Sequence, residues 1–124
     1  MAATILICDD QETLRDLVRG ALAGNGYTIV EASDGDESLE LARTLRPDLV
    51  VLDLVMPGLS GHEVLFELRR DPLLSETRVI VCTATSKTMN VHLASELGAD
   101  RFFEKPFRPT ELAAAVSELL GEKA

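Results

Sequence analysis

Short apolar runs alternate along the chain with longer segments in which apolar residues recur every three or four positions. The runs are Thr4-Ile5-Leu6-Ile7-Cys8, Tyr27-Thr28-Ile29-Val30, Leu49-Val50-Val51-Leu52, Arg78-Val79-Ile80-Val81-Cys82 and the shorter Arg101-Phe102-Phe103. All five read as strands, and the third and fourth are apolar almost throughout, the pattern of strands covered on both faces. The intervening segments read as helices. Leu14, Leu17, Val18, Ala21 and Leu22 share one stripe, with Gly24 and Gly26 as its stop. Leu39, Ala42 and Leu45 mark a second helix that ends near Pro47. Ser60 and Glu63 have the spacing of a capping box and open a third, carrying Val64, Leu65 and Leu68, which Asp71-Pro72 closes. Val91, Ala94 and Leu97 indicate a fourth, closed by Gly98. Pro109 suits the first turn of a fifth, whose stripe is Leu112, Val116, Leu119 and Leu120.

Five strand–helix repeats predict an α/β fold, (βα)5, in which parallel strands joined by right-handed crossovers form one open sheet with helices on both faces. At 124 residues the chain is the length of one domain, 1–124, with no linker, internal repeat or low-complexity tract. Charge then narrows the function. A formal net charge of −9 and the lack of any basic stripe argue against a nucleic-acid surface. Trp is absent and Tyr27 is single, which removes base-stacking platforms. No apolar run reaches the roughly 20 residues of a membrane span, and no secretory signal opens the chain. Cys8 and Cys82 lie inside strand runs and read as reduced core residues, suited to a cytoplasmic protein.

Ligands of such sheets bind at the carboxyl ends of the strands. Read there, the sequence offers Asp9 and Asp10 after the first strand, Asp53 after the third, Thr83 after the fourth and Lys105-Pro106 beyond the fifth. Three convergent carboxylates repel unless a cation intervenes, and an all-oxygen set suits Mg²⁺. Asp53 could then act as a carboxylate nucleophile, with Thr83 donating to a phosphoryl oxygen and Lys105 pairing with carboxylates or phosphoryl group in turn. Taken singly, each residue has a plainer reading. Asp9 and Asp10 could be helix-start acids, Asp53 a turn residue, Thr83 a strand terminator and Lys105 a surface lysine. His62 and His92 read as exposed helix residues, Gly58 and Gly61 as turn residues, and Phe107 as core or cap packing. Of the adjacent Phe102 and Phe103, one should face the core and the other an outer surface.

Four pieces taken together, Ile7-Cys8-Asp9-Asp10, Leu52-Asp53-Leu54-Val55-Met56-Pro57 with Gly61, Thr83-Ala84, and Lys105-Pro106-Phe107, resemble the receiver domains of bacterial response regulators over essentially the whole chain. The resemblance implies the flavodoxin-like strand order 2-1-3-4-5. It puts Asp53 on the phosphoacceptor position. Asp10, Asp53 and the Val55 backbone carbonyl fall on Mg²⁺ ligands, and Asp9 on a position that reaches the metal through water. Thr83, Phe102 and Lys105 fall on switch positions, and the Lys105–Pro106 bond is expected cis. It further implies a sensor histidine kinase or histidine phosphotransfer protein as donor. The switched face, made by the fourth helix, fifth strand and fifth helix, would bind a downstream protein.

Two features depart from the commonest family pattern. Phe102 stands where Tyr is frequent, and Thr85-Ser86-Lys87-Thr88-Met89-Asn90 is less acidic than usual. Val55 and Thr85 would flank the phosphoryl group. Three other readings stand beside the phosphoacceptor module. The chain could be a receiver fragment of a larger DNA-binding or enzymatic regulator. An Mg²⁺-dependent phosphatase with an aspartyl nucleophile is disfavoured by Val55, where a second Asp would serve as general acid. A flavodoxin-like binding module is disfavoured by the lack of a phosphate-binding loop.

Overall fold

The computed structural model describes residues 2–84 and 88–121, those at 88–91 by their backbone. Five strands and five helices alternate: β1 (Thr4–Cys8), α1 (Glu12–Leu22), β2 (Thr28–Ala32), α2 (Gly35–Leu45), β3 (Leu49–Leu52), α3 (Gly61–Arg70), β4 (Arg78–Thr83), α4 (Thr88–Glu96), β5 (Arg101–Glu104) and α5 (Pro109–Leu119). All strand pairs are parallel and the sheet order is β2-β1-β3-β4-β5, the architecture expected from the sequence.

Alternation along each strand feeds two cores. Leu6, Cys8, Val50, Leu52, Val79 and Val81 point to the side covered by α2, α3 and α4, where Leu39, Val64, Leu65, Leu68 and Ala94 meet them. Ile5, Ile7, Leu49, Val51, Ile80 and Cys82 point to the other, against Val18 and Leu22 of α1 and Leu112, Ala115 and Val116 of α5. Strands β1, β3 and β4 are therefore buried on both faces, which is why their sequences show no polar alternation.

Local chemistry sets the element ends. Asp34 caps α2 by accepting from the Glu37 N–H, and α2 ends at Arg46, whose φ of 48° is left-handed just before Pro47. The Ser60–Glu63 capping box of α3 is formed in both directions. Differences from the sequence expectation are small and physical. β2 runs two residues further, to Ala32, because Glu31 and Ala32 continue the ladder beside Ile7 and Cys8. Leu17 and Leu45 lie at the edges of their helical stripes and stay 43% and 40% exposed. Phe102 and Phe103 divide between the two cores, half-buried, and Phe103 sits against Phe107 with ring centroids 6.2 Å apart. Neither faces an outer surface, because helices cover both sides of even this edge strand.

Candidate functional site

Each strand of the central trio delivers its last polar residue to the same edge. The backbone first fixes the frame: the Asp9 N–H donates to Ala32 O at 3.1 Å, the Asp53 N–H to Cys8 O at 2.9 Å, and the Lys105 N–H to Thr83 O at 2.9 Å. Adjacent strands thus extend their ladders by one bond into the site. Asp9 and Asp53 are buried, Thr83 is fully buried, and Asp10 is exposed. One oxygen from each of Asp9, Asp10 and Asp53 lies within 4.8 Å of the others. The Lys105 ammonium donates to Asp9 Oδ2 at 2.7 Å and to Asp53 Oδ2 at 3.2 Å. The Lys105–Pro106 peptide bond is cis, as expected.

Backbone amides meet the second carboxylate oxygens of Asp9 and Asp53. The Gln11 N–H donates to Asp9 Oδ1 at 2.9 Å, and the Val55 N–H to Asp53 Oδ1 at 3.2 Å. Arg15 donates to the Asp9 carbonyl at 2.8 Å while pairing with Glu31. Burial pushes the Asp9 carboxyl above the usual carboxylate range. The Lys105 hydrogen bond, the Gln11 N–H and the Lys105 charge oppose that rise, and the Asp53 charge adds to it. Burial by itself would lower the Lys105 ammonium, but the Asp9 hydrogen bond and the Asp53 and Asp9 charges outweigh it. Lys105 therefore stands above its ordinary value.

Asp10, Gln11, Asp53, Val55, Thr83, Ala84 and Lys105 line an open cavity of about 230 Å³. Its donor set is hard oxygen with an adjoining ammonium, which fits Mg²⁺ rather than a softer transition metal. Phe102 lies on the α4 side of the sheet, where it borders a smaller hollow with Ser95 and Ala99. Thr83 is two residues beyond Val81, so alternation turns its side chain to that same side. The structure thus brings Asp9, Asp10, Asp53, Thr83, Lys105 and the Val55 backbone to one place, with Phe102 behind it. Thr85, expected to flank the phosphoryl group, and the rest of the 85–87 segment lie outside the described residues.

Some residues shape this edge in ways the sequence reading does not give. A Cβ on Gly61 would lie 2.6 Å from Leu54 Cα, so this glycine is a close-approach residue in the first turn of α3 rather than a turn residue. Gly35 has the same role from α2. His62 is half-buried rather than exposed, and its Nε2 is occluded with no hydrogen-bond partner. His92 is exposed and 3.0 Å from Glu96.

The chain matches the model of the response regulator receiver domain across residues 5–117. It is 40% identical over 120 residues to the alkaline phosphatase synthesis transcriptional regulatory protein PhoP of Bacillus subtilis, covering 97% of this chain and 49% of that one. It is equally 40% identical over 116 residues to the DNA-binding response regulator MtrA of Mycobacterium tuberculosis, covering 94% and 50%. Among solved structures, a response regulator from Chloroflexus aurantiacus superposes with a TM-score of 0.91 at 30% identity, covering 98% of this chain and all of that one. The chemotaxis response regulator CheY4 of Vibrio cholerae does so with a TM-score of 0.88 at 27% identity, covering 96% and 99%. The chain belongs to the response regulator receiver domain family. It spans about half the length of the curated relatives it matches.

Proposed function

We propose that the chain is a phosphorylation-controlled module in which Asp53 accepts a phosphoryl group. The observation that carries this reading is the convergence of Asp9, Asp10 and Asp53 with the Lys105 ammonium at the carboxyl edge of the sheet. Asp10, Asp53 and the Val55 carbonyl would hold Mg²⁺, with Asp9 reaching it through water. When bound, the metal would supply positive charge against the phosphoryl oxygens. An Asp53 carboxylate oxygen attacks phosphorus as the bond to the donor nitrogen of a phosphohistidine breaks, leaving an aspartyl phosphate and a neutral imidazole once protonated. Lys105 exchanges its carboxylate partners for a phosphoryl oxygen, and the Thr83 hydroxyl donates to another. Repacking of Phe102 then alters the face of α4, β5 and α5 that a downstream protein reads. The donor is a sensor histidine kinase or histidine phosphotransfer protein. No separate substrate is turned over, so the module is not an enzyme in the ordinary sense. We place it in the cytoplasm; among the described residues no helix is long and apolar enough to cross a membrane.

A second reading rests on the lengths of the relatives. Two are named as transcriptional or DNA-binding regulators about twice as long as this chain, so the chain could be the receiver part of such a regulator. Sizing the native polypeptide in its source cells separates the two readings. In either case the acidic described surface is not the part that would meet nucleic acid.

The test is intact mass spectrometry after incubation with a small acyl phosphate, with and without Mg²⁺. A single Mg²⁺-dependent phosphoryl adduct on wild type, absent from Asp53→Asn, is expected. An adduct that persists in Asp53→Asn would overturn the assignment of the acceptor.

A further inference from the structure

The loop from Asp53 to Ser60 carries Val55 past the site, and it is gripped from two directions by helix first turns. At its near end the Gly61 N–H of α3 donates to Leu54 O at 3.0 Å. At its far end the Gly35 N–H of α2 donates to Pro57 O at 3.1 Å. Both N–H groups belong to the first turn of a helix, where no intrahelical acceptor exists, so each is available to a loop carbonyl. Both helices begin with glycine at the point of contact, and in both the loop backbone occupies the space of a side chain. A Cβ on Gly35 would overlap the Leu59 carbonyl oxygen, stand 2.6 Å from its carbon and 2.8 Å from Leu59 Cβ. These neighbours are backbone or its first side-chain atom, so they cannot swing aside. Gly35 does not need its freedom for a left-handed φ; it needs only to be small. The contact is continued by Asp36, whose carboxylate fills the space a side chain on Gly58 would take.

We propose that Gly35, from outside the acidic cluster, is a positioning residue for the metal and phosphoryl site: it sets the path of the 53–60 loop and hence of the Val55 carbonyl. The proposal rests on the function given above. Asp53 is held by the sheet through its N–H to Cys8 O, whereas Val55 lies beyond the last ladder bond. Displacing residues 57–59 therefore moves the loop-borne ligand more than the acceptor itself. The consequence is selective: weaker Mg²⁺ binding with the acceptor chemistry intact once the metal is saturating.

The test compares wild type, Gly35→Ala and Gly20→Ala. Gly20 lies inside α1, where a Cβ meets nothing within 4 Å, so its variant controls for the substitution itself. Mg²⁺ is titrated while the backbone amide resonances of Leu54 and Val55 are followed by NMR, and phosphoryl uptake from a small acyl phosphate is measured at each concentration. Gly35→Ala should raise the half-saturating Mg²⁺ about tenfold by both readouts, with uptake at saturating Mg²⁺ near the wild-type level; Gly20→Ala should match wild type. A wild-type half-saturation in Gly35→Ala, with only a lower unfolding midpoint, would overturn the proposal. Should Gly35→Ala fail to fold, Asp34→Ala loosens the same first turn by removing its cap. A half-saturation raised about two- to threefold is then expected, and an unchanged one overturns the proposal. Absence of Mg²⁺ binding or uptake in wild type would instead overturn the underlying function.

Discussion

The Lys105 ammonium lies closer to Asp9 than to Asp53, 2.7 Å against 3.2 Å, so the lysine is anchored on Asp9 and leans on Asp53. All three side chains are at most 13% exposed, and the ion pairs are accordingly little screened by solvent. The arrangement keeps a cation within reach of Asp53 while leaving its stronger bond elsewhere.

Lys105→Ala removes the ammonium that pairs with both Asp9 and Asp53. Without metal its unfolding free energy should fall by about 1–3 kcal/mol, the cost of buried polar groups losing a partner. Mg²⁺ should restore more stability to the variant than to wild type. Urea unfolding with and without the ion checks both statements. Phosphorylation of this variant should leave the amide shifts of α5 unchanged; shifts as large as those of wild type would remove Lys105 from the switch.

Asp9 titrates higher in the folded chain than in the unfolded one, so the folded state holds that proton more firmly. Its contribution favours folding at acid pH and is lost as pH rises through the elevated folded value. Lys105 is also raised, so its contribution is present below about 10.4, the ordinary lysine value, and is lost only as pH climbs through the folded one. Asp9→Asn fixes the neutral form. Metal-free, it should unfold at higher urea than wild type near neutral pH. That advantage should vanish as the solution is acidified through the window between the raised value and the ordinary ~3.9. Paired urea titrations across that range measure it.

Cys8 and Cys82 are free, buried thiols. Burial pushes each up to about 12, with a Ser38 hydrogen bond opposing the rise for Cys8 and the Lys105 charge opposing it for Cys82. Since the thiolate is the reactive form, the native protein should resist iodoacetamide near neutral pH and take up two labels in denaturant. Labelling of the native protein at the rate of a small thiol would contradict this.

Arg69 joins three separate pieces of chain. From the end of α3 it donates to Gly98 O at 2.9 Å and 3.1 Å, to Thr77 O at 2.6 Å and to Asp100 at 3.2 Å. Asp100 in turn accepts from the Val79 N–H at 2.8 Å. Arg69→Met keeps the stem but strands these acceptors, and should lower the unfolding free energy by about 2–4 kcal/mol. The neighbouring Arg70, exposed and lying over Phe66, should tolerate the same change within about 1 kcal/mol. Equal losses at the two positions would refute the distinction.

The sequence exposes what repeats and what is local. Strand runs, the Ser60–Glu63 box and Pro109 each announce themselves within a few residues, and the parallel topology then places Asp9, Asp53, Thr83 and Lys105 at one edge. What it conceals is long-range fit. Gly35 opens α2 and in the sequence looks like any glycine at a loop end, because its partner, the Leu59 backbone, is 24 positions away (59 − 35). Arg69 reads as a surface charge at a helix end, because its acceptors are backbone carbonyls, which every residue possesses. One of Phe102 and Phe103 is expected to face outward, because a five-strand pattern does not reveal that apolar side chains pack on both faces of the edge strand. His62 is half-buried where it lines a hollow with Leu39, Leu59 and Phe66, residues from α2, the 53–60 loop and α3 that the sequence does not show to be neighbours.

Lys105 and Asp9 are 96 positions apart, and their pairing has a bearing on biosynthesis. A ribosome delivers Asp9, Asp10 and Asp53 long before the lysine that reconciles them exists. Until β5 has emerged and docked on β4, the three acids share an edge without the Lys105 ammonium. The carboxylate cluster is therefore completed late, and on the proposed function a chain that stops short of β5 would carry Asp53 without the lysine that serves it.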